Sequence, residues 1–183
     1  MNSKVYEVLD KITDSDDTTV GGGCASALSG AMAAGMLSMV AKLSKKKPVN
    51  FTEEQYDAII NELEQLNQQL QEGCVHDTEA YCMIVDAFKL PKGTDEEKAA
   101  RSAAIQKGLE GCTATPFEMM ELCCKALEMT HELLGKTNDS AASDLGVAAL
   151  SLRAGIQGAW LNVLINIGSL KNKDLAADYK KKG

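Results

Sequence analysis

An acidic and a phenolic side chain lie four residues apart in the segment CVHDTEAYCMIVDAF. Residues at this spacing share one face of a helix, so Asp77 and Tyr81 are expected to point the same way. Ala80, Ile84 and Phe88 mark an apolar side close to that face, which predicts that both polar groups point inward. An inward acid beside a phenol suits proton transfer and polar binding. The alternative is a half-exposed helix on which both groups contact water.

Three consecutive glycines, Gly21, Gly22 and Gly23, precede a stretch built almost entirely from Ala, Gly, Ser and Met. A dinucleotide site or a P-loop needs an apolar strand before its glycines, and here that segment, TDSDDTTV, is polar and acidic. The mechanism that remains is general: free backbone N–H groups at the positive end of a helix bind an anion or a polar ligand. A flexible turn into the helix is the alternative.

Three further sets of polar residues are candidates for ligand binding. Lys92 lies in a turn where its ammonium is available to an anion, although a surface role is the default for one lysine. Ser143 and Asp144 stand near the start of a helix, which capping alone would explain. Asn162 and Asn166 are stacked at i and i+4 in an apolar helix, where each amide needs a partner. Such pairs usually connect helices and less often bind a ligand.

The elements that position these residues are predicted to be helices. No stretch alternates apolar and polar residues at period two, and aromatic residues make up only 4% of the chain, which favours a close-packed helical core. With 183 residues, we expect one all-α domain, a bundle of about six helices. The third helix is expected to bend near Gly73, and Pro116 to mark the start of the fifth. The expected helices cover about 3–12, 24–45, 52–88, 95–112, 115–135 and 140–170, before a partly helical tail.

Composition and charge exclude several classes of function. A net charge of -7 argues against nucleic acid as the main partner, because phosphate binding needs a basic field. The N-terminal stretch MNSKVYEVLDKI has no apolar run, so we expect no signal peptide. The small-residue helix after the glycines is only weakly hydrophobic, and no second membrane span is expected. These features predict a cytoplasmic protein that binds neither nucleic acid nor a membrane.

The cysteines show neither a CxxC motif nor zinc spacing with histidine, so no metal site is expected. Reduced thiols that serve as small buried residues are the simplest interpretation. Cys24 is the exception to watch, because it directly follows the glycines. The six residues are Cys24, Cys74, Cys82, Cys112, Cys123 and Cys124.

Taken together, these motifs resemble the formiminotetrahydrofolate cyclodeaminase/methenyltetrahydrofolate cyclohydrolase family. Each motif is weak alone, but five in the same order, from about Tyr6 to Leu170, are fairly specific. The matching residues are Gly21, Gly22 and Gly23; Asp77, Ala80 and Tyr81; Pro91, Lys92, Glu96, Glu97, Lys98 and Arg101; Ser143, Asp144, Leu145, Gly146, Val147 and Ala148; and Asn162, Val163, Ile165 and Asn166.

The resemblance implies an all-helical homodimer that binds a reduced folate in a cleft, with a tetrahydrofolate derivative as substrate and no permanently bound cofactor. Such proteins close 5-formiminotetrahydrofolate to 5,10-methenyltetrahydrofolate with release of ammonia, or interconvert 5,10-methenyl- and 10-formyltetrahydrofolate. In this scheme Asp77 or Asp144 handles the proton and Tyr81 is its hydrogen-bonding partner. The remaining expected substrate-binding positions are Gly21, Gly22, Gly23, Cys24, Ser26, Lys92, Ser143, Asn162 and Asn166.

The chain also departs from the family pattern around the glycines. Val20 stands where a proline is usual, and Cys24 where a serine is usual, which puts a hydroxyl role at that position in doubt, although Ser26 is close by. We expect cyclodeamination, with methenyltetrahydrofolate cyclohydrolase activity as the first alternative. A non-catalytic folate-binding module or a pure interaction bundle is the second.

Overall fold

Six α-helices make up the fold, in a computed structural model that describes residues 5–183, with side chains from residue 7 onward. No strand occurs within this range, which confirms the all-α prediction. A short 3-10 helix, Asp139–Ala141, precedes the fifth helix, and the predicted first two residues of the first helix lie outside the described residues. The helices are α1 Val5–Thr13, α2 Gly22–Lys45, α3 Glu53–Lys89, α4 Asp95–Glu132, α5 Ala142–Ile167 and α6 Lys173–Lys182.

Local sequence explains where the two longest helices begin. The Thr52 side chain accepts a hydrogen bond from the Gln55 backbone, and the Gln55 side chain accepts one from the Thr52 backbone at 2.8 Å. Thr94 and Glu97 form the same reciprocal pair at the start of α4. Each pair satisfies backbone N–H groups that have no partner inside the helix. These starts are therefore encoded within four residues.

Gly73 does not interrupt α3, which continues as one helix to Lys89. A Cβ at this position would lie 2.9 Å from Cγ of Met119 on α4. The glycine therefore admits a neighbouring side chain, which accounts for its presence in this helix.

The prediction of two separate helices around Pro116 is wrong, because α4 passes through this residue without ending. Proline has no N–H, so the carbonyl of Cys112, four residues earlier, loses its partner within the helix. The Asn166 side chain on α5 donates a hydrogen bond to that carbonyl at 2.9 Å. A tertiary contact thus replaces the missing helical bond and allows the proline inside the helix.

Small residues bring α2 and α5 close together at the centre of the bundle. Gly155 on α5 is buried, and a Cβ there would lie 3.1 Å from the Ser26 carbonyl and 3.3 Å from the Gly30 nitrogen. The Gly158 position is similarly occupied by the Ser26 side chain. The contact at Gly155 is with the α2 backbone itself, so it leaves no room for a side chain at this position of α5. This is the crowded central helix that the small-residue composition of α2 predicts.

Between residues 5 and 183, two helices are long and apolar enough to cross a membrane by length and composition. Helix α2 is one, but 61% of its most apolar window is buried inside the bundle, as in the core helix of a globular protein. The other is the segment Asp139–Ile167, with only 28% of the window buried. The expectation of no second apolar stretch of this length is therefore wrong, since much of α5 presents apolar residues outward.

We expect Asn166→Ala to lower the free energy of unfolding by about 1–3 kcal/mol, because it leaves the buried Cys112 carbonyl without a donor. Replacing Pro116 with alanine restores a backbone N–H that reaches that carbonyl within α4. The double-mutant cycle compares the wild type, Asn166→Ala, Pro116→Ala and the double variant by urea unfolding. Asn166→Ala should lower the free energy of unfolding by about 1 kcal/mol less in the Pro116→Ala protein than in the wild type.

Asn162→Ala is the matched control for this cycle. Its side chain donates to the Gly158 carbonyl of its own helix at 2.8 Å, so it should show no coupling to position 116. Additive effects of Asn166→Ala and Pro116→Ala would show that the asparagine does not compensate for the proline.

Gly155→Ala should destabilise the protein by about 1–3 kcal/mol, because the added methyl group forces the α2 and α5 backbones apart. Gly146→Ala on the same helix is the control, since nothing lies within 4 Å of a Cβ at that position. The control should be neutral or stabilising by up to about 1 kcal/mol from helix propensity. Equal unfolding midpoints for the two variants in urea would rule out the close backbone contact.

Candidate active site

A cavity of about 380 Å³ lies where the N-terminus of α2 meets α3, α4 and α5. It brings together seven residues expected from the sequence: Gly21, Gly22, Gly23, Asp77, Tyr81, Asn162 and Asn166. The other lining residues were not among the site residues expected from the sequence: Thr18, Thr19, Ile84, Leu109, Cys112 and Ile165.

The Asp77 carboxylate lies against the first turn of α2. The residue before this helix, Gly21, offers no side-chain cap, and the first helical bond runs from the Ala25 nitrogen to the Gly21 carbonyl at 3.0 Å. The backbone N–H of Cys24 instead faces Asp77 and lowers the pKa of its carboxyl, and a Cβ on Gly23 would overlap the carboxylate. Asp77 therefore acts as an N-cap supplied by another helix, and glycine is needed for this close approach.

Burial raises the pKa of Asp77, and the hydrogen bond from the Cys24 N–H lowers it by less. Burial also raises the pKa of the Cys112 thiol to about 11, with the negative charge of Asp77 as the second cause. Cys112 therefore stays protonated near neutral pH. Among the described residues that line this cavity, Asp77 is the one carboxyl group. A carboxyl whose pKa is raised toward the working pH can both accept and donate a proton.

Tyr81 stands at the mouth of the cavity, with 36% of its surface exposed. Its hydroxyl is 2.9 Å from the Thr18 hydroxyl, which comes from the loop before the glycines. In the same loop, the Asp17 carboxylate accepts hydrogen bonds from the backbone and side chain of Thr19. This local turn holds the loop over the site. The Asp-Thr-Thr pattern was a sequence signal for such a turn.

Asn162 and Asn166 line the cavity, and Asn166 also connects α5 to α4. The Asn162 amide nitrogen donates to the Gly158 carbonyl at 2.8 Å. The Asn166 amide nitrogen donates to the carbonyls of Cys112 and Asn162, both at 2.9 Å. Their amide N–H groups therefore go to backbone. Within residues 7–183, no hydrogen bond reaches either Oδ1 atom, so these oxygens remain as acceptors at the cavity.

Two residues expected to bind substrate have side chains inside the protein core. Cys24 is fully buried and is bonded to Cys74 as a disulfide, so the expectations of a reduced thiol and of a substrate contact are both corrected. The Ser26 hydroxyl donates to the Gly22 carbonyl at 2.7 Å and lies outside the lining of the cavity. Both side chains point toward neighbouring helices because α2 is surrounded at this level.

Three other expected residues lie elsewhere in the chain's fold. Lys92 lines a separate cavity of about 330 Å³ with Lys98 and Arg101. Ser143 and Asp144 are at the start of α5, and Asp144 is 18 residues before Asn162, or about 27 Å along an α-helix. A single chain therefore does not bring Asp144 to the cavity that contains Asp77.

A larger groove of about 790 Å³ runs along α2 and α3, on residues such as Ser38, Asn67 and Gln71. Three charged residues line it, of which Lys42 and Glu64 form an ion pair and are about half exposed, and the third is Lys46. None of its lining residues is a titratable group with the burial of Asp77. The smaller cavity is the better candidate for chemistry.

No cluster of three His, Cys, Asp or Glu side chains suited to a metal ion occurs among residues 7–183. The chemistry available to the described cavity is therefore that of a buried carboxyl, a phenol, amide oxygens and backbone N–H groups.

Comparison with known proteins gives a consistent result. The sequence profile of the formiminotransferase-cyclodeaminase family matches residues 4–183. A methenyltetrahydrofolate cyclohydrolase from Methylorubrum extorquens is 37% identical over 182 residues, which cover 98% of this chain and 86% of that protein. The mouse formimidoyltransferase-cyclodeaminase is 33% identical over 162 residues, and the match spans 88% of this chain but only 29% of the mouse protein.

The fold is also found in a solved structure. The crystal structure of formiminotetrahydrofolate cyclodeaminase from Thermotoga maritima superposes with a TM-score of 0.86, over 98% of this chain and 86% of that one, at 23% sequence identity. At this identity the likeness concerns the fold alone. The family profile covers nearly the whole chain, and on that ground this protein belongs to the formiminotransferase-cyclodeaminase family.

Proposed function

We propose that this protein is a folate one-carbon enzyme that closes 5-formiminotetrahydrofolate to 5,10-methenyltetrahydrofolate and releases ammonia. The observation that carries the proposal is the single buried carboxyl, Asp77, beside backbone N–H groups in a cavity of about 380 Å³. The family match and the names of the relatives support the choice of substrate.

Cyclodeamination needs one proton to move from one nitrogen to another. The N10 nitrogen of the folate attacks the formimino carbon and loses its proton, and the amine on that carbon must gain a proton to leave as ammonia. The Asp77 carboxylate accepts the first proton and, as the acid, donates it to the departing amine. Its raised pKa suits both roles. The negative carboxylate also stabilises the cationic methenyl product.

Hydrolysis of the methenyl ring is the second candidate, favoured by the cyclohydrolase relative that matches 98% of this chain. Here water attacks the same carbon, Asp77 takes a proton from the water, and the acid returns it to the leaving folate nitrogen. As the C–N bond breaks and the formyl carbonyl forms, the second proton of the water is released to solvent. Both reactions pass through a tetrahedral carbon between two folate nitrogens. One carboxyl can therefore serve either reaction.

The remaining polar groups are assigned to the substrate. The Oδ1 atoms of Asn162 and Asn166 accept hydrogen bonds from N–H groups of the pterin ring, and Tyr81 holds the reacting end at the mouth of the cavity.

Lys92 binds the carboxylates of the folate tail. Its cavity includes Ile105, one turn of α4 from Leu109 in the catalytic cavity, or about 6 Å along the helix. No permanently bound cofactor is needed, and a cytoplasmic location fits the supply of reduced folate.

We also propose a homodimer formed through α5. This helix exposes a stripe of large apolar residues, with Leu150, Leu161 and Ile165 at 67%, 66% and 75% exposure. Exposed apolar patches of this kind mark association surfaces. Ile165 also lines the catalytic cavity, so the stripe borders the site.

The same stripe suggests where Asp144 acts. It extends from Val147 to Ile165, with its midpoint near Ile156. A two-fold pairing of antiparallel α5 helices about that midpoint puts Asp144 of one copy level with Gly168 of the other. The second copy then supplies its Asp144 carboxylate near the cavity, where it assists proton transfer or holds the cationic substrate.

The absorbance of 5,10-methenyltetrahydrofolate tests the function directly. It should grow when 5-formiminotetrahydrofolate is supplied if the protein is a cyclodeaminase, and decay faster than in buffer from methenyltetrahydrofolate if it is a cyclohydrolase. Asp77→Asn should lower kcat by about 100-fold or more. Asp86→Asn, exposed on the same helix, is the control and should retain full activity.

The other outcomes of this assay separate the remaining alternatives. Folate binding without either reaction would identify a non-catalytic binding module, and no binding would leave an interaction bundle. Unchanged turnover and affinity in Asp77→Asn would remove this residue from the mechanism.

Two inactive variants test the shared site by complementation. Asp77→Asn and Asp144→Asn should each lose activity as homodimers, because each lacks one carboxyl in both sites. Random exchange of subunits makes half of the dimers mixed, with one complete site each. The mixture should therefore recover about a quarter of wild-type activity.

The α5 stripe supplies the control for that experiment. Leu161→Asp should sediment as a single 19.5 kDa chain and abolish the recovery, whereas Leu9→Asp, 53% exposed on α1, should leave both unchanged. A mixture that stays inactive while subunits exchange would show that Asp144 does not complete the partner's site.

A further inference from the structure

Two bonded cysteines stand directly beside the acid of the candidate site. Cys24, in the first turn of α2, and Cys74, on α3, form a disulfide with their Cα atoms 4.1 Å apart. Cys24 is fully buried, and Cys74 is 5% exposed. Cys74 is three residues before Asp77, so the two lie within one turn of α3. The bond therefore joins the segment that holds the acid to the segment that donates to it.

Cys24 makes two separate links to that one turn of α3. Its sulfur is bonded to Cys74, and its backbone N–H is close enough to Asp77 to lower the pKa of that carboxyl. The absence of a Cβ at Gly23 lets the carboxylate lie directly against the same turn of α2. Because both links start from one residue, a change at the sulfur shifts the N–H as well.

Opening the disulfide changes the space that the two side chains need. A bonded pair of sulfur atoms is about 2.05 Å apart, whereas non-bonded heavy atoms need roughly 3.5 Å or more. Both side chains are buried in a close-packed region, so the added separation must come from movement of the helices. Cys24 lies at the start of α2 whereas Cys74 lies well inside α3, so the first turn of α2 is the element we expect to move.

We propose that Cys24 and Cys74 are positioning residues for Asp77, and that their oxidation state sets how closely the N-terminus of α2 holds the carboxylate. In the closed state the Cys24 N–H remains on Asp77. In the open state the Cys24 N–H lies farther from Asp77, and the carboxylate is no longer held against α2. The importance of this effect for turnover rests on the proposed function, whereas the positioning itself does not.

The redox step is a thiol–disulfide exchange with a dithiol reductant. One reductant thiolate attacks Sγ of Cys74, the more exposed sulfur, and Cys24 leaves as a thiolate that takes up a proton. The second reductant thiol then attacks the mixed disulfide and frees Cys74. Two electrons and two protons pass to the protein, and the reductant becomes a disulfide. Disulfides in reducing compartments are mostly of this transient, sensing kind.

The groups that face Asp77 from its neighbouring helices do not obscure a change in its pKa. Helix α4 contributes Cys112, which stays protonated near neutral pH, and α5 contributes the uncharged Asn162 and Asn166. Tyr81 is the titratable neighbour on α3 itself, and α2 contributes its backbone. Since the Cys24 N–H lowers the pKa of Asp77, loss of that hydrogen bond raises it.

A titration followed by ¹³C NMR of the Asp77 carboxyl tests the proposal without substrate. The signal is assigned by its loss in Asp77→Asn, and wild-type protein is compared before and after treatment with dithiothreitol, with the number of free thiols counted by alkylation and mass spectrometry. The midpoint should move to higher pH on reduction. An identical midpoint in the two states would overturn the proposal.

Cysteine variants distinguish the effect of Cys24 and Cys74 from that of the other thiols. The double substitution Cys24→Ala and Cys74→Ala removes both sulfur atoms and should give no response to dithiothreitol. Cys124→Ser, which removes an exposed free thiol, should keep the wild-type response. A response that survives in the double variant would also overturn the proposal. Because the wild-type comparison needs no substitution, it stands even if the double variant does not fold.

Activity provides the second readout. The acid limb of kcat/KM against pH should shift upward on reduction, with about a twofold or greater loss at the pH of the oxidised midpoint. A purely structural role for the disulfide would lower stability without moving this limb. If the NMR midpoint moves and neither folate reaction occurs, the positioning stands and the proposed function fails.

Discussion

The approach of the Asp77 carboxylate to the uncapped N-terminus of α2 is the interaction on which the site depends. Two opposing effects act on this acid: burial favours the protonated form, and the Cys24 N–H with the positive end of the helix favours the charged form. Burial is the larger effect, so the carboxyl holds its proton to a higher pH than an exposed aspartate does. The contact with the N-terminus of α2 fixes the position of this carboxyl.

This contact constrains the sequence on both sides. The first turn of α2 must be free of side chains where the carboxylate lies, which explains Gly23. Deeper in the bundle α2 must carry small side chains, because Gly155 of α5 approaches its backbone directly. The result is a central helix whose end is open to a ligand while its middle is enclosed by neighbours.

Helix α5 links the site to the rest of the molecule in two ways. Its inner side carries Asn166, which satisfies the carbonyl left unpaired by Pro116 and thereby keeps α4 continuous beside the cavity. Its outer side carries an apolar stripe that no described part of the chain covers. The first feature builds the wall of the cavity, and the second is the basis for proposing a second copy at its edge.

Much of the fold was predictable because it is encoded locally. Helix starts at Thr52 and Thr94 follow from capping pairs three residues apart, and the acid and phenol at Asp77 and Tyr81 follow from i, i+4 spacing. The break expected at Pro116 was wrong, since the donor that permits the proline is 50 residues away along the chain. Helical periodicity holds no information about such a partner.

By itself, the sequence determined the helical class, most helix boundaries and the glycines at the entrance of α2, and it pointed to seven of the residues that line the cavity, on three separate segments. Only the tertiary structure decided which of those residues meet. It paired Cys24 with Cys74, placed Ser26 in the core, and separated Lys92 and Asp144 from Asp77 within one chain. The physical reason is that helix formation depends on neighbours within four residues, whereas burial, capping from another helix and sulfur pairing depend on how the helices pack.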